Sequence, residues 1–287
     1  MPFSKADKIA HINKSPESVA IHDKEQWLSI FSQYSIVEDP VGSKPHVNGL
    51  YDKHNKARGN GALSRFYETF IAPNKIVFDV NKDIVCNNHV VRDLTVNINM
   101  SGVNVSVPMH LLYELTEENK ELKIHRLAAH WELVPMLRTL MDKGTDALPV
   151  VKTLSTRMLK YQGVSGAMGF MAGVGKLGNH GKDTLEDFFD AFNGKNEFKL
   201  KSLFSPAAII HAPYGKLSCS PQELLQEIAG EFTFNKVLTA GYAVSTSVKF
   251  ETTTQGKTKR KIVKEGVAIF EFDTKSKKID RLSFYYE

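Results

Sequence analysis

The chain has 287 residues, 42% of them apolar and 24% charged, the make-up of an ordinary globular protein with room for one large or two medium domains. Two cysteines, Cys86 and Cys219, exclude a disulfide framework and lack metal-ligand spacing, and the opening MPFSKADKIAHINKSPES holds no apolar core of signal-peptide length. A reducing, cytoplasmic location is the expectation. The net charge of +5 is unevenly placed: residues 1–132 carry −1, residues 133–182 carry +5 and residues 183–287 carry +1. One segment holds the excess, so whole-chain basicity gives no ground for a nucleic-acid partner.

Residues 4–35 read as helical, with Pro16 marking a helix start after Ser15. The amphipathic run Trp27-Leu28-Ser29-Ile30-Phe31 leads into a short apolar strand that delivers Asp39 and stops at Pro40. Leu63, Phe66, Tyr67 and Phe70 then mark one face of a helix ending before Pro73. From Lys75 to Trp131 the pattern turns to alternation and β-branched residues. KIVFDV, VVRDLTVNINM, VNVSVPMHLLYEL and LKIHRLAAHW read as four strands, with Asn87-Asn88 and Ser101-Gly102 among the turn residues between them. Helices followed by a run of antiparallel strands predict an α+β unit with a sheet curved over helices.

Residues 133–182 hold five of the eight methionines. Leu133, Leu137, Leu140 and Met141 predict an amphipathic helix stopped at Gly144, and Asp146 would cap a second one carrying Val150, Val151, Leu154 and Met158. Tyr161 to Gly175 is free of charge but falls short of the roughly 20 residues that span a bilayer. The plain reading is a helical linker packed between domains. Two others stand beside it: contact with an acidic membrane surface, or a lid over a ligand cavity.

The plan of the first part then recurs. WLSIFSQYSIVEDPVG (27–42) lies without gaps on LKSLFSPAAIIHAPYG (200–215), and IHRLAAHWE (124–132) on IDRLSFYYE (279–287). Two blocks in the same order indicate a tandem duplication. Leu185, Phe188, Phe189 and Phe192 supply the first helix of the second copy, and Leu224, Leu225 and Ile228 its second helical face. In the first block Asp39 falls opposite Ala212 and Glu38 opposite His211, and anchoring YEL (113–115) on FEF (270–272) sets His110 opposite Val267. Chemistry, if present, belongs to the first copy.

Helix, strand, Asp39-Pro40 and a helix with the Phe66-Tyr67 pair, around the motif VEDPVGSKP (37–45), resemble the ketosteroid isomerase branch of the NTF2-like (SnoaL-like) superfamily over about residues 23–132. The resemblance implies a fold of two NTF2-like (cystatin-like) cone-shaped α+β domains. Each would be a curved, mainly antiparallel sheet wrapped over helices, at 1–132 and 183–287, joined by the helical insert 133–182. Small domains of this family pair through their sheets, so an intramolecular pseudo-dimer or a homodimer is expected.

The same resemblance implies an apolar cavity in which Asp39 moves a proton between two carbons of an enolisable ketone. A carboxylate at the end of an apolar strand loses hydration and becomes a usable proton carrier; the competing reading is a plain Asp-Pro turn. Enolate formation also needs donors to the ketone oxygen. The family's tyrosine on the first helix falls on Ser15. Its acid on a late strand falls on His110, within Pro108-Met109-His110. Tyr67 matches the family's cavity tyrosine, against the alternative of a core aromatic. His110 shares a strand face with Asn104 and Ser106, a face open to being solvent or cavity.

The candidate site is therefore Asp39 as base with Tyr67 or His110 as donor, with no cofactor and no metal. His125 and His130 lie on opposite faces of one strand, away from any carboxylate cluster. Gly173-Val174-Gly175-Lys176-Leu177-Gly178 matches GxGxxG in letters but lacks a preceding strand and a βαβ setting. Lys257, Lys259, Arg260 and Lys261 read as a solvated turn, without the interleaved aromatics of a nucleic-acid site. Two functions stand open: an isomerase or related acid–base enzyme acting on a hydrophobic ketone, and a noncatalytic binder of an apolar or lipid-like small molecule.

Overall fold

The computed structural model describes residues 3–49, 61–172, 177–215, 220–228, 230–253 and 261–286. Most of the 173–178 glycine motif, Cys219 and the basic residues at 257–260 lie outside them. The chain divides into two compact units, Met1–Asp83 with Asn88–Val174, and Ile84–Asn87 with Gly175–Glu287. The stretch 133–174 thus counts with the first unit.

In the first unit α1 (Lys5–Ala20) starts at a capping box: Ser4 Oγ accepts the Asp7 amide N–H, and the Asp7 carboxylate accepts that of Ser4 at 2.8 Å. Pro16, expected at a helix start, lies inside α1. The capping box together with the buried face of Ile12, Ser15 and Val19 outweighs the one hydrogen bond that a proline forfeits. The helical reading of 4–35 also ends early. α2 (Lys24–Ser29), capped by Asp23, gives way to strand β1 (Phe31–Glu38), where β-branched and aromatic residues take over.

After β2 (His46–Val47), α3 (Ala62–Phe66) runs into a π-helical turn, Tyr67–Ile71. Strands β3 (Asn74–Cys86), β4 (His89–Met100), β5 (Val103–Glu118) and β6 (Glu121–His130) follow, as the alternation predicts. The sheet order is β2-β1-β6-β5-β4-β3, antiparallel except for the β1–β6 pair. Beyond β6 come α4 (Leu133–Met141), α5 (Leu148–Arg157) and α6 (Gly163–Met171). On the sheet, Arg126 of β6 binds Glu38 of β1 at 2.5 Å and Glu114 of β5 at 2.7 Å, tying three strands together in register.

The second unit repeats this plan with α7 (Asn179–Asn193), α8 (Glu197–Ser202), β7 (Phe204–His211), α9 (Pro221–Glu227), β8 (Phe232–Ala240), β9 (Ala243–Thr253), β10 (Lys261–Phe272) and β11 (Ile279–Tyr286). Its sheet order is β7-β11-β10-β9-β8, again with one parallel pair, β7–β11. The two alignment blocks reappear as register. Phe31 pairs with Ile124, and their counterparts Phe204 and Ile279 pair with each other. Ile36 pairs with Arg126, as Ile209 does with Arg281. Asp39-Pro40 and Ala212-Pro213 are both cis, and Gly42 and Gly215 both follow at positive φ (86° and 92°), a conformation that favours glycine. Each half is therefore the α+β layout expected, a mainly antiparallel sheet over helices, built twice.

Candidate functional site

Alternate residues of each strand face the helices. In the first unit Val107, Met109, Leu111 and Tyr113 of β5 take that side, with Val96, Ile98 and Met100 of β4 and Val37 of β1. Opposite them stand Ser15 and Val19 of α1 and Phe66 of α3, and Leu154 and Phe170 of α5 and α6 complete the wall. These side chains do not meet. They leave a cavity of about 150 Å³, an order of magnitude more than one water needs. The lining is overwhelmingly apolar, and its polar members are few: Ser15, Asp39, Asn74 and Tyr113, with the indoles of Trp27 and Trp131.

Asp39 reaches this cavity from the end of β1. Its Oδ1 accepts the Trp131 indole N–H at 2.5 Å. The side chain is half-buried among the residues that line the cavity. Loss of hydration raises its pKa from 3.8 to about 6, against the lowering effect of the Trp131 bond. Asp39 therefore stands on an apolar wall, its carboxylate bonded to the Trp131 side chain.

Two hydroxyls join Asp39 on the wall. Ser15 Oγ accepts the Trp27 indole N–H at 3.2 Å, which leaves its own hydroxyl hydrogen to donate. Tyr113 is fully buried, and its hydroxyl has no hydrogen-bond partner among the described residues. Burial pushes that phenol up to about 12, while the nearby Arg92 guanidinium pulls it down. Arg92 is itself buried, held by Asp83 at 2.7 and 2.8 Å and by Asn13 at 2.5 Å.

The other two expected site residues lie elsewhere. Tyr67 is buried against Trp27, ring centroids 5.6 Å apart, and is not among the cavity-lining residues; its hydroxyl has no partner among the described residues. Burial pushes its pKa up, helped by the carboxylates of Asp23 and Glu68. His110 is fully buried, but alternation sets it on the face of β5 away from Met109 and Leu111, which line the cavity. Asp39 is thus brought together with Ser15 and Tyr113, not with Tyr67 and His110. Ser15 was legible as the residue at the family's tyrosine position. Tyr113 sits in Tyr-Glu-Leu, a triplet with no chemical signature. Among the described residues no group of three or more His, Cys, Asp or Glu is placed to hold a metal.

The second unit supplies an internal comparison. Ser15 corresponds to Phe188, Asp39 to Ala212, Tyr113 to Phe270 and Ala129 to Phe284, by the helix ends, caps and register shared between the copies. Phe188, Phe270 and Phe284 are fully buried and meet one another, with ring centroids 5.0 Å apart for Phe188–Phe270 and 6.4 Å for the other two pairs. The space that is open and polar-tipped in the first copy is packed with phenylalanine in the second.

No family model matches the chain, and no curated protein does. Solved structures do. A computationally designed 17-OHP binder is 16% identical, covering 45% of this chain and 95% of that one at a TM-score of 0.37. RV0760c from Mycobacterium tuberculosis is 20% identical, over 47% and 96%, at 0.37. The Δ5-3-ketosteroid isomerase from Mycobacterium sp. is 22% identical, over 45% and 95%, at 0.35. Each spans less than half of this chain and nearly all of its own.

Proposed function

We propose that the first of the two NTF2-like units is an acid–base catalyst acting on a predominantly apolar small molecule with an enolisable carbonyl, and that the second unit is its catalytically silent copy. The observation that carries this reading is the replacement of Ser15, Asp39 and Tyr113 by Phe188, Ala212 and Phe270: the polar positions of one cavity are those filled with carbon in the other. A general structural need for polar groups there would have applied to both copies.

Asp39 takes the proton from the carbon beside the carbonyl. A carboxylate with a pKa of about 6 is ionised at neutral pH yet basic enough to accept a carbon-bound proton when aided by oxyanion stabilisation. Trp131 fixes the carboxylate's orientation and leaves Oδ2 for the substrate. Ser15 and Tyr113 donate to the carbonyl oxygen as negative charge builds there, in a lining that excludes water and so strengthens both bonds. Returning the proton to another carbon of the same conjugated system completes an isomerisation, with atoms and charge conserved and no cofactor consumed.

The test is the ultraviolet absorbance of a conjugated enone formed from an unconjugated cyclic β,γ-enone. The wild-type chain is expected to accelerate conjugation and Asp39→Asn to abolish the acceleration. Solvent-level rates with both proteins remove the catalytic reading. A second reading, a noncatalytic holder of an apolar ligand, is favoured by how few polar groups the lining contains. It predicts a wild type that is stabilised by the same enone without converting it.

A further inference from the structure

We propose that the outer face of α5 and α6 docks on an anionic lipid surface, so that the helices walling the cavity are those that meet the bilayer. This inference is independent of the acid–base reading. It rests on a wall that is apolar on both sides. Inward, Leu154 and Phe170 line the cavity, and Phe170 stacks on Phe70 with ring centroids 5.3 Å apart. Outward, Leu148 and Val151 of α5 are 64% and 54% exposed, and Leu159 in the turn that follows is 57% exposed. On α6 Val164, Met168 and Met171 are 67%, 71% and 50% exposed, at the i, i+4, i+7 spacing of a single helix face.

Isolated exposed apolar side chains are ordinary, but five on two consecutive helices and a sixth in the turn between them are a face in want of a partner. α6 carries no charged residue at all, so its outer side lacks the polar stripe that solvates a surface helix. The charge of the segment selects the partner. From Leu148 to Met171 the only charged residues are Lys152, Arg157 and Lys160. Arg157 is engaged with Glu68, while Lys152 and Lys160 are exposed beside the apolar face. Acidic residues, Asp142 and Asp146, occur only before α5 begins.

Apolar side chains flanked by lysines, with no acid among them, are the make-up of a helix lying in the plane of an anionic membrane. Among the described residues no helix is long and apolar enough to cross one. A cavity for apolar molecules also gains from docking, since such molecules concentrate in bilayers and the walling helices would receive them there.

The experiment is co-sedimentation of the full chain with vesicles of phosphatidylcholine alone and of phosphatidylcholine with phosphatidylserine. Binding to the anionic vesicles is expected, weaker on the order of tenfold on neutral ones. Met168→Asp with Val164→Asp should abolish it, and Lys152→Glu with Lys160→Glu should weaken it on anionic vesicles only. The altered side chains are exposed, so thermal melts should match wild type and confirm folding. Absent binding, equal binding to both vesicle types, or binding unaffected by Met168→Asp overturns the proposal, as does a soluble protein partner or self-association that uses this face. Enone conversion in lipid-free buffer should be unchanged by Met168→Asp, which separates failure of docking from failure of the site.

Discussion

The Trp131 indole N–H and the Asp39 carboxylate are joined by a 2.5 Å hydrogen bond between residues 92 positions apart, and both side chains reach the same cavity. The bond stabilises the ionised carboxylate while burial opposes it, and burial is the larger effect. Trp131 has no titratable proton in the working range and acts by holding Asp39 in place.

Asp39→Asn keeps the shape of the side chain and its acceptor for Trp131 but removes the base. Enone conjugation is expected to fall by about 10² to 10⁴. Trp131→Phe should cost less, and the apparent pKa of the rate should rise because a bond favouring the anion is gone. A rate profile unchanged by either substitution would count against Asp39 as the proton acceptor.

The raised pKa has a sign for stability. Asp39 binds its proton more tightly folded than unfolded, so between pH 3.8 and about 6 its contribution becomes less favourable as pH rises. Above that window the ionised group costs up to about 3 kcal/mol. His46 and His130, lowered to about 4 by burial, act in the opposite direction: stability is lost as pH falls from about 6.5 towards 4. The difference between wild type and Asp39→Asn isolates the carboxylate. The variant should melt higher at pH 7, and the gap should close by pH 4. A gap of the same size at both pH values would contradict the buried-carboxylate assignment.

Tyr113→Phe and Ser15→Ala each remove one proposed donor, and each should lower conversion by about 10². Their stability effects should differ. The Tyr113 hydroxyl has no partner among the described residues, so losing it should be neutral or slightly stabilising; Ser15→Ala leaves the Trp27 N–H without its acceptor and should cost about 1 kcal/mol. Urea melts read both.

Ala129→Phe copies into the first unit the residue that the second carries as Phe284. Ala129 lies on β6 between Leu127 and Trp131, which line the cavity, so the added ring should lower enone binding and conversion, with a thermal melt as the check on folding. The reverse change, Phe284→Ala, removes a fully buried ring from a packed cluster and should destabilise the chain by about 3–5 kcal/mol. A folded Ala129→Phe protein with full activity would place the chemistry elsewhere.

Alternation from Lys75 to Trp131 was enough to mark four strands. Two gapless blocks were enough to reveal the repeat, and the loss of the carboxylate at Ala212 pointed to the first copy, because period, turn residues and aligned identity are local properties of a chain. The start of α1 was misread because a proline suggested a boundary, while the stronger determinant was the Ser4–Asp7 capping box. Alternation also separated His110 from Met109 and Leu111, but only the folded sheet shows which of the two faces covers the helices.

Tyr113 and Ala129 show the deeper reason. Whether an inward residue borders a void or a packed interior depends on the volumes of side chains brought opposite it from distant strands and helices. The position between the cavity-lining Leu127 and Trp131 holds the small Ala129 in one copy, and its counterpart holds the ring of Phe284 in a packed cluster in the other. Local order could be read along the chain; the presence of a cavity, and which hydroxyls share it with Asp39, is a sum over contacts that exists only once the strands are side by side.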